Sequence, residues 1–370
     1  MSHRPCLACP QFRSPVYFNL SHLGYVDTLH WLEIPLLSNG KRPIFEFDGI
    51  RGVESEKILL GLMRTITIPN FFVIGAPKAG TTSLCAYLKG HPQIFFSSVK
   101  EPHFFDTDMS KSFKLSRTTY LSLFSGAKPD VHQAVGEGST GYLFSTVAVS
   151  NILQFNTEAK FIVMLRNPLE LAPAWHSEMF FEGIEEVSDF EEAWNLEPER
   201  RMGRKIPVNC VEPKKLLYSE WAKLGDQMER LYVAAPRSKV KVVLFEDLLA
   251  DTKAAYNDVL SFLGVLPDGR DHFEVHNENK IPKNPTLQRR LAGFINQFRR
   301  VRSLTGLKLN LGSGLSDTLL RFNSYSTSRK PVSKAMQGKM AEFFREDVVK
   351  LGKLLDRDLS PWLSCPENVP

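Results

Sequence analysis

The run Phe71-Phe72-Val73-Ile74-Gly75-Ala76-Pro77-Lys78-Ala79-Gly80-Thr81-Thr82-Ser83-Leu84 constrains this chain more than any other stretch. An apolar, partly β-branched segment ends in a glycine-bearing turn, and a helix-compatible segment, Thr82 to Lys89, follows. That order predicts a buried strand, a loop, and a helix whose first-turn N–H groups point at an anion. Gly75 and Gly80 allow the backbone to approach the anion closely. Their spacing matches the two glycines of a Walker-type loop. Yet Thr81 stands where such a loop carries its lysine, and the lysine sits inside the turn as Lys78. This is not a plain ATP site.

The same alternation continues down the chain. Strands are expected at Gln93 to Phe96, Ala134 to Gly136, Lys160 to Leu165 and Val240 to Phe245. Helices are expected at about Leu169 to Phe181 and, behind a cap centred on Ser188, Phe190 to Leu196. Further helical periods cover Tyr218 to Tyr232 and a segment closing at Phe262-Leu263-Gly264. A last one runs from Ala341 to Leu355, with Phe343, Phe344, Val348, Leu351 and Leu355 on one face and a stop at Asp358 to Trp362. Strands alternating with helices predict an α/β fold, a mainly parallel sheet with helices on both faces. Residues 1–67 read as an irregular N-terminal extension, apart from a short amphipathic piece near Glu54 to Met63. A flap, a dimerisation arm and a stretch upstream of the true start are all open for it.

With 370 residues, 43% apolar and 24% charged, the chain can hold one large α/β domain or two smaller ones. A net charge of +5 suits anionic substrates, and without a long Lys/Arg run it does not call for nucleic acid. Five cysteines make no disulfide framework, and Cys6 and Cys9 form a CxxC with no second pair at zinc-ribbon spacing. No apolar run approaches a membrane span, and the start lacks the basic-then-apolar order of a signal peptide. The default expectation is a cytoplasmic protein with no membrane partner and no metal.

The segment Pro77 to Leu84 resembles the 5′-phosphosulfate loop of sulfotransferases that use 3′-phosphoadenosine-5′-phosphosulfate (PAPS). The resemblance runs from about Ile68 to Trp362, within a domain taken as 68–365, and is nearest to the heparan sulfate sulfotransferases and their bacterial relatives. It implies a P-loop-like three-layer sandwich, PAPS as co-substrate, 3′,5′-ADP as product, and a hydroxyl-bearing carbohydrate or small molecule as acceptor. By the same resemblance Lys78, Ala79, Gly80, Thr81, Thr82 and Ser83 hold the 5′-phosphate, with Lys78 stabilising the leaving group. Arg166, at the end of a buried strand, holds the 3′-phosphate, where a guanidinium can bond two oxygens at once.

Lys100-Glu101-Pro102-His103-Phe104-Phe105 resembles the family segment whose glutamate is the general base, so Glu101 takes that role with His103 as neighbour or substitute. If the segment is extended, alternation sends both side chains to one face. The chain departs from the family at Ala174, where a serine also contacts the 3′-phosphate, and at Leu171, where relatives often carry an arginine. Ser177 lies on the same helical face, nearly a turn away. Arg329 and Lys330 stand near a family Lys-Gly-Arg loop, though without its glycine. Lys280 and Lys283 form another basic pair. His176 reads as a satisfied helix histidine, and Arg200, Arg201 and Arg204 as solvated charges before substrate contacts. Two alternatives remain: a non-catalytic PAPS- or ADP-binding protein, which Ala174 and Leu171 keep open and the presence of Lys78 and Glu101 opposes, and a nucleotide kinase, which the position of Lys78 and the lack of a convincing Walker B acid disfavour. Acceptor identity and oligomeric state are left open.

Overall fold

The computed structural model describes residues 67–110, 115–274, 280–305, 322–327 and 329–364. The N-terminal extension, except Thr67, and the Cys6/Cys9 pair lie outside the described residues. Five strands, β1 (Phe71–Gly75), β2 (Ile94–Phe96), β3 (Ala134–Gly138), β4 (Lys160–Leu165) and β5 (Val240–Leu244), form one sheet in the order β2-β3-β1-β4-β5. Every pairing in it is parallel. Phe71, Phe72, Val73 and Ile74 are fully buried, which explains why β1 reads as an unbroken apolar run rather than an alternation. Each such side chain contributes about 1.5–3 kcal/mol by leaving water. A separate antiparallel pair, β6 (Lys280–Pro282) with β7 (Ser324–Ser326), lies outside this sheet. Among the described residues, no helix is long and apolar enough to cross a membrane.

The strand order fixes where a ligand can sit. After β1 the chain crosses to β2 at one edge, whereas after β4 it moves the other way, to β5. The loops leaving β1 and β4 therefore diverge, and the crevice at their carboxyl ends is the switch point of the sheet. The helix after the first loop is Thr81–Lys89 and the helix after the second is Pro168–Phe181. The second starts with Pro168 at its first position, and the Asn167 side chain accepts from Leu169 N–H, so both start signals agree. Pro173 lies inside this helix, and Ser177 Oγ donates to the Pro173 carbonyl at 3.0 Å.

Three expectations need correction. The cap of the Phe190–Asn195 helix is Asp189, whose carboxylate accepts from Glu191 and Glu192 N–H, not Ser188. The expected Tyr218–Tyr232 helix is two helices, Tyr218–Ala222 and Leu224–Ala234, broken at Lys223. The C-terminal helix begins earlier, at Lys334, and Phe343 on it is exposed while Phe344, Val348 and Leu351 are buried. Adjacent residues on a helix point about 100° apart, so Phe343 and Phe344 cannot share one face.

The break at Lys223 has a physical reason. Asp347 of the C-terminal helix accepts from Gly225 and Asp226 N–H, both at 2.8 Å, and so serves the first turn of a helix far away in sequence. This close approach leaves no room for a side chain at Gly225: a Cβ there would lie 2.3 Å from the Asp347 carbonyl oxygen. Gly225→Ala is expected to destabilise the protein by about 1–3 kcal/mol through overpacking, read as a lower urea midpoint at unchanged slope. An unshifted midpoint would show that the two helices separate freely.

Candidate active site

Gly80 takes φ +87° at the start of the Thr81–Lys89 helix, and a Cβ on it would lie 3.0 Å from the Phe245 ring. Conformation and space both demand glycine here. The turn places Lys78 at φ +60°, with Ala79 fully buried beneath it. Thr81 and Ser83 are buried as well, and Thr82 is half-buried. No acidic residue occupies the first turn of the helix, so nothing there opposes an anion.

Arg166 joins the two loops at the crevice. One guanidinium nitrogen donates to the Lys78 carbonyl at 3.0 Å, while the other two donate to Glu170 at 3.0 and 2.6 Å. The guanidinium also lies over the Phe245 ring, 4.5 Å from its centre. Arg329 approaches from the segment before the C-terminal helix and donates to the Glu170 carbonyl at 3.5 Å. Burial, and then the positive charge of Arg166, lower the Arg329 pKa from its usual value. Two guanidinium groups thus share one corner of the crevice. Lys78 Nζ is paired with Glu178 of the Pro168–Phe181 helix at 2.8 Å.

The expected base segment is organised differently from a strand. Glu101 and His103 both have positive φ, +48° and +50°, so they are not extended and strand alternation does not bring them together. A tight turn does. His103 Nε2 lies 3.1 Å from a Glu101 oxygen, and Nδ1 lies 2.7 Å from Asp106, which is almost fully buried. Burial alone would depress the imidazolium, but the hydrogen bonds and charges of Asp106 and Glu101 outweigh it and raise the His103 pKa to about 9. Burial likewise favours neutral Glu101, yet His103, with Lys100 and Lys215 behind it, lowers the Glu101 pKa to about 2. Thr140 Oγ1 donates to the other Glu101 oxygen at 3.3 Å.

Several expected site residues are elsewhere. Lys330 is exposed and paired with Asp189 at 2.9 Å, so it pins its segment to the start of the Phe190–Asn195 helix. Ala174 is fully buried and presents no surface to the crevice, so the missing serine hydroxyl is not a gap in an open site. Leu171 is fully buried too. Arg200 is not a solvated charge: it is buried and ion-paired with buried Glu185 at 2.7 Å. Arg201 and Arg204 pair with nearby glutamates at the surface. His176 is buried, with Nε2 2.9 Å from the Val187 carbonyl, as a satisfied helix histidine should be. Lys283 is exposed, and the Lys280 side chain lies outside the described residues.

Sequence reasoning missed Glu170, Glu178, Phe245, Asp106 and Glu137. The clearest overlooked signal was Glu137, a carboxylate inside the apolar strand segment Ala134–Gly138. It is fully buried, and burial raises its pKa to about 7 despite hydrogen bonds from Ser139, Tyr142 and Tyr120. Glu182, by contrast, is only half-buried. Burial raises its pKa, with Lys215 opposing and the charges of Glu178 and Glu101 adding to the rise. Glu178, Glu101, Lys100 and Lys215 are therefore electrostatic neighbours across the crevice.

With this geometry established, comparison with known proteins identifies the lineage. Residues 69–283 match the family model described as "Sulfotransferase domain". The chain belongs to the sulfotransferase domain family. The resemblance of Pro77 to Leu84 to PAPS-dependent sulfotransferases is borne out at that level. Mouse carbohydrate sulfotransferase 15 is 31% identical over 213 residues, covering 45% of this chain and 37% of that protein. Human bifunctional heparan sulfate N-deacetylase/N-sulfotransferase 3 is 26% identical over 208 residues, covering 54% of this chain and 23% of that one. The chain thus spans well under half the length of these curated relatives. A crystal structure of a sulfotransferase from Alicyclobacillus acidocaldarius superposes with a TM-score of 0.59 at 24% identity, over 81% of this chain and 100% of that one. That likeness confirms the α/β sandwich, a central parallel sheet flanked by helices.

The His103 pair generates a pH prediction. A histidine whose pKa is raised on folding holds its proton more tightly in the folded state than in the unfolded one. Its stabilising contribution is complete below its ordinary value of 6.5 and is lost as pH rises through about 9. Over that window His103→Gln should lose less stability with rising pH than the parent protein, measured as urea midpoints at a series of pH values. Parallel pH profiles would show that His103 carries no extra proton in the folded protein.

Proposed function

We propose that this chain is a PAPS-dependent sulfotransferase that moves sulfonate to a hydroxyl of a carbohydrate or small-molecule acceptor and releases 3′,5′-ADP. The observation that carries this reading is the bond from Arg166 to the Lys78 carbonyl, which joins two separate cationic loops at the switch point of the sheet. A donor with two well-separated anionic groups needs two such cationic places, and a mononucleotide triphosphate does not. Arg166 with Arg329 supports the 3′-phosphate assignment, because of these two adjacent guanidinium groups only Arg166 pairs with the Glu170 carboxylate, while Arg329 reaches just the Glu170 carbonyl, leaving the corner under-neutralised. The loop from Lys78 to Ser83 serves the 5′-phosphosulfate. The names of the carbohydrate and heparan sulfate relatives support a sugar acceptor.

In this reaction the acceptor oxygen bonds to sulfur as the bond from sulfur to the bridging phosphate oxygen breaks. The electron pair stays with the leaving 5′-phosphate, where charge grows. Lys78, released from Glu178, stabilises that charge more in the transition state than in the ground state. The acceptor proton passes to Glu101, which the His103–Asp106 pair keeps ionised and oriented.

Two variants test these roles with labelled PAPS and a panel of mono-, di- and oligosaccharides and phenols. Lys78→Ala is expected to lower kcat by roughly 10²-fold or more while the protein remains folded. Glu101→Gln keeps the shape and removes the base, so kcat should fall by roughly 10²-fold or more with the Kd for 3′,5′-ADP unchanged. Parental turnover in either variant would remove that residue from the mechanism. Tight binding of ATP with no binding of 3′,5′-ADP would overturn the whole reading.

A further inference from the structure

Glu137 is a carboxylate near the carboxyl end of β3, and it is enclosed in the core. Burying a carboxylate is costly unless hydrogen bonds satisfy it. Three hydroxyls do so. Ser139 donates to one oxygen at 2.7 Å, and Tyr142 and Tyr120 donate to the other at 2.8 and 3.1 Å. Tyr120 and Tyr142 are themselves fully buried.

Two of these hydroxyls continue outward. With its hydrogen committed to Glu137, Ser139 Oγ turns a lone pair to the His103 N–H, 3.1 Å away. Tyr142 does the same for the Phe104 N–H at 2.9 Å. Ionised, as it is above the pKa of about 7 to which burial raises it, the carboxylate accepts only, and it then forces both hydroxyls to donate inward and accept outward. Glu101 and His103 hold positive φ, which non-glycine residues keep only where the surroundings over-determine it. The backbone bonds at 103 and 104 are where the rigid strand grips that turn.

We propose that Glu137 is a positioning residue for Glu101: through Ser139 and Tyr142 it fixes the polarity of two hydroxyls that clamp the backbone of residues 103 and 104, and thereby holds the base at the crevice. The inference rests on the assignment of Glu101 as general base. An amide at position 137 keeps the volume but presents N–H to one of the hydroxyls, which then loses its inward acceptor and gives up its outward geometry. Ser139→Ala cuts one clamp directly and leaves Glu137 its two tyrosine donors.

The test is a double-mutant cycle, using the acceptor that gains label in the saccharide and phenol panel. Glu137→Gln and Ser139→Ala are each expected to lower kcat by roughly ten-fold, since small displacements of a reacting group are costly, with the Kd for 3′,5′-ADP unchanged. In a Glu101→Gln background the same changes should cost nothing further, because the base they position is already gone. A merely structural role would lower activity by the same factor in both backgrounds, and that outcome overturns the proposal. So does parental kcat in Ser139→Ala, which also serves if Glu137→Gln does not fold. If Glu101→Gln itself keeps parental turnover, the base assignment fails and the positioning role falls with it. If Glu101→Gln is impaired and the cycle is additive, the base assignment stands and the positioning role alone is overturned.

Discussion

The bond from the Arg166 guanidinium to the Lys78 carbonyl ties together the loops that follow β1 and β4. Lys78, Arg166 and Arg329 gather around it. One helix supplies an acid to two of these cations: Glu170 answers Arg166, and Glu178 answers Lys78. Both carboxylates remain partly exposed, so they are screened by solvent, and ligand anions have only modest pairings to displace. The site can thus be held in shape before ligand arrives without being locked against it.

That economy depends on the helix from Pro168 being fixed at its start. Asn167 and Pro168 set its first turn, and the fully buried Leu171, Ala172 and Ala174 set its rotation against the core. With that rotation, position 174 is interior. A serine hydroxyl there would meet the protein before it met a phosphate. Arg329, entering from the far end of the chain, occupies the corner beside Arg166 instead. Buried Arg200 belongs to a different task. Its pairing with Glu185 and Tyr218 is enclosed structure, far from the solvated role that charge alone suggests.

Much of the fold was legible because it rests on local signals. The unbroken apolar run of β4 and the left-handed Gly264 that ends the Thr252–Leu263 helix both stand where the sequence puts them. The strand, turn and helix from Phe71 to Lys89 and the strand-end place of Arg166 were legible for the same reason, each being a short local pattern. What the sequence could not show is pairing at a distance. Asp347 serving the helix from Leu224, and Lys330 leaving the crevice for Asp189, depend on how helices settle in three dimensions. Glu101 and His103 illustrate the limit well. Their proximity was expected from strand alternation, but a positive-φ turn produces it, and the residue that completes the group, Asp106, lies three positions beyond His103.

The depressed pKa of Glu101 bears on how a base can work here. The cations around Glu101 keep it ionised, and as the proposed base it is correspondingly weak. The groups that hold it down are cations: His103 first, then Lys100 and Lys215. Under the proposed reading, a phosphosulfate entering beside Lys78 brings negative charge toward the same crevice and offsets part of that field. The Glu101 pKa must then rise, because nearby negative charge disfavours ionised carboxylate. On that reading Glu101 gains basicity as donor binds, which is when the acceptor hydroxyl needs to lose its proton. On the proposed reading, the cations that keep Glu101 ionised also make its basicity depend on the charge of the donor beside it.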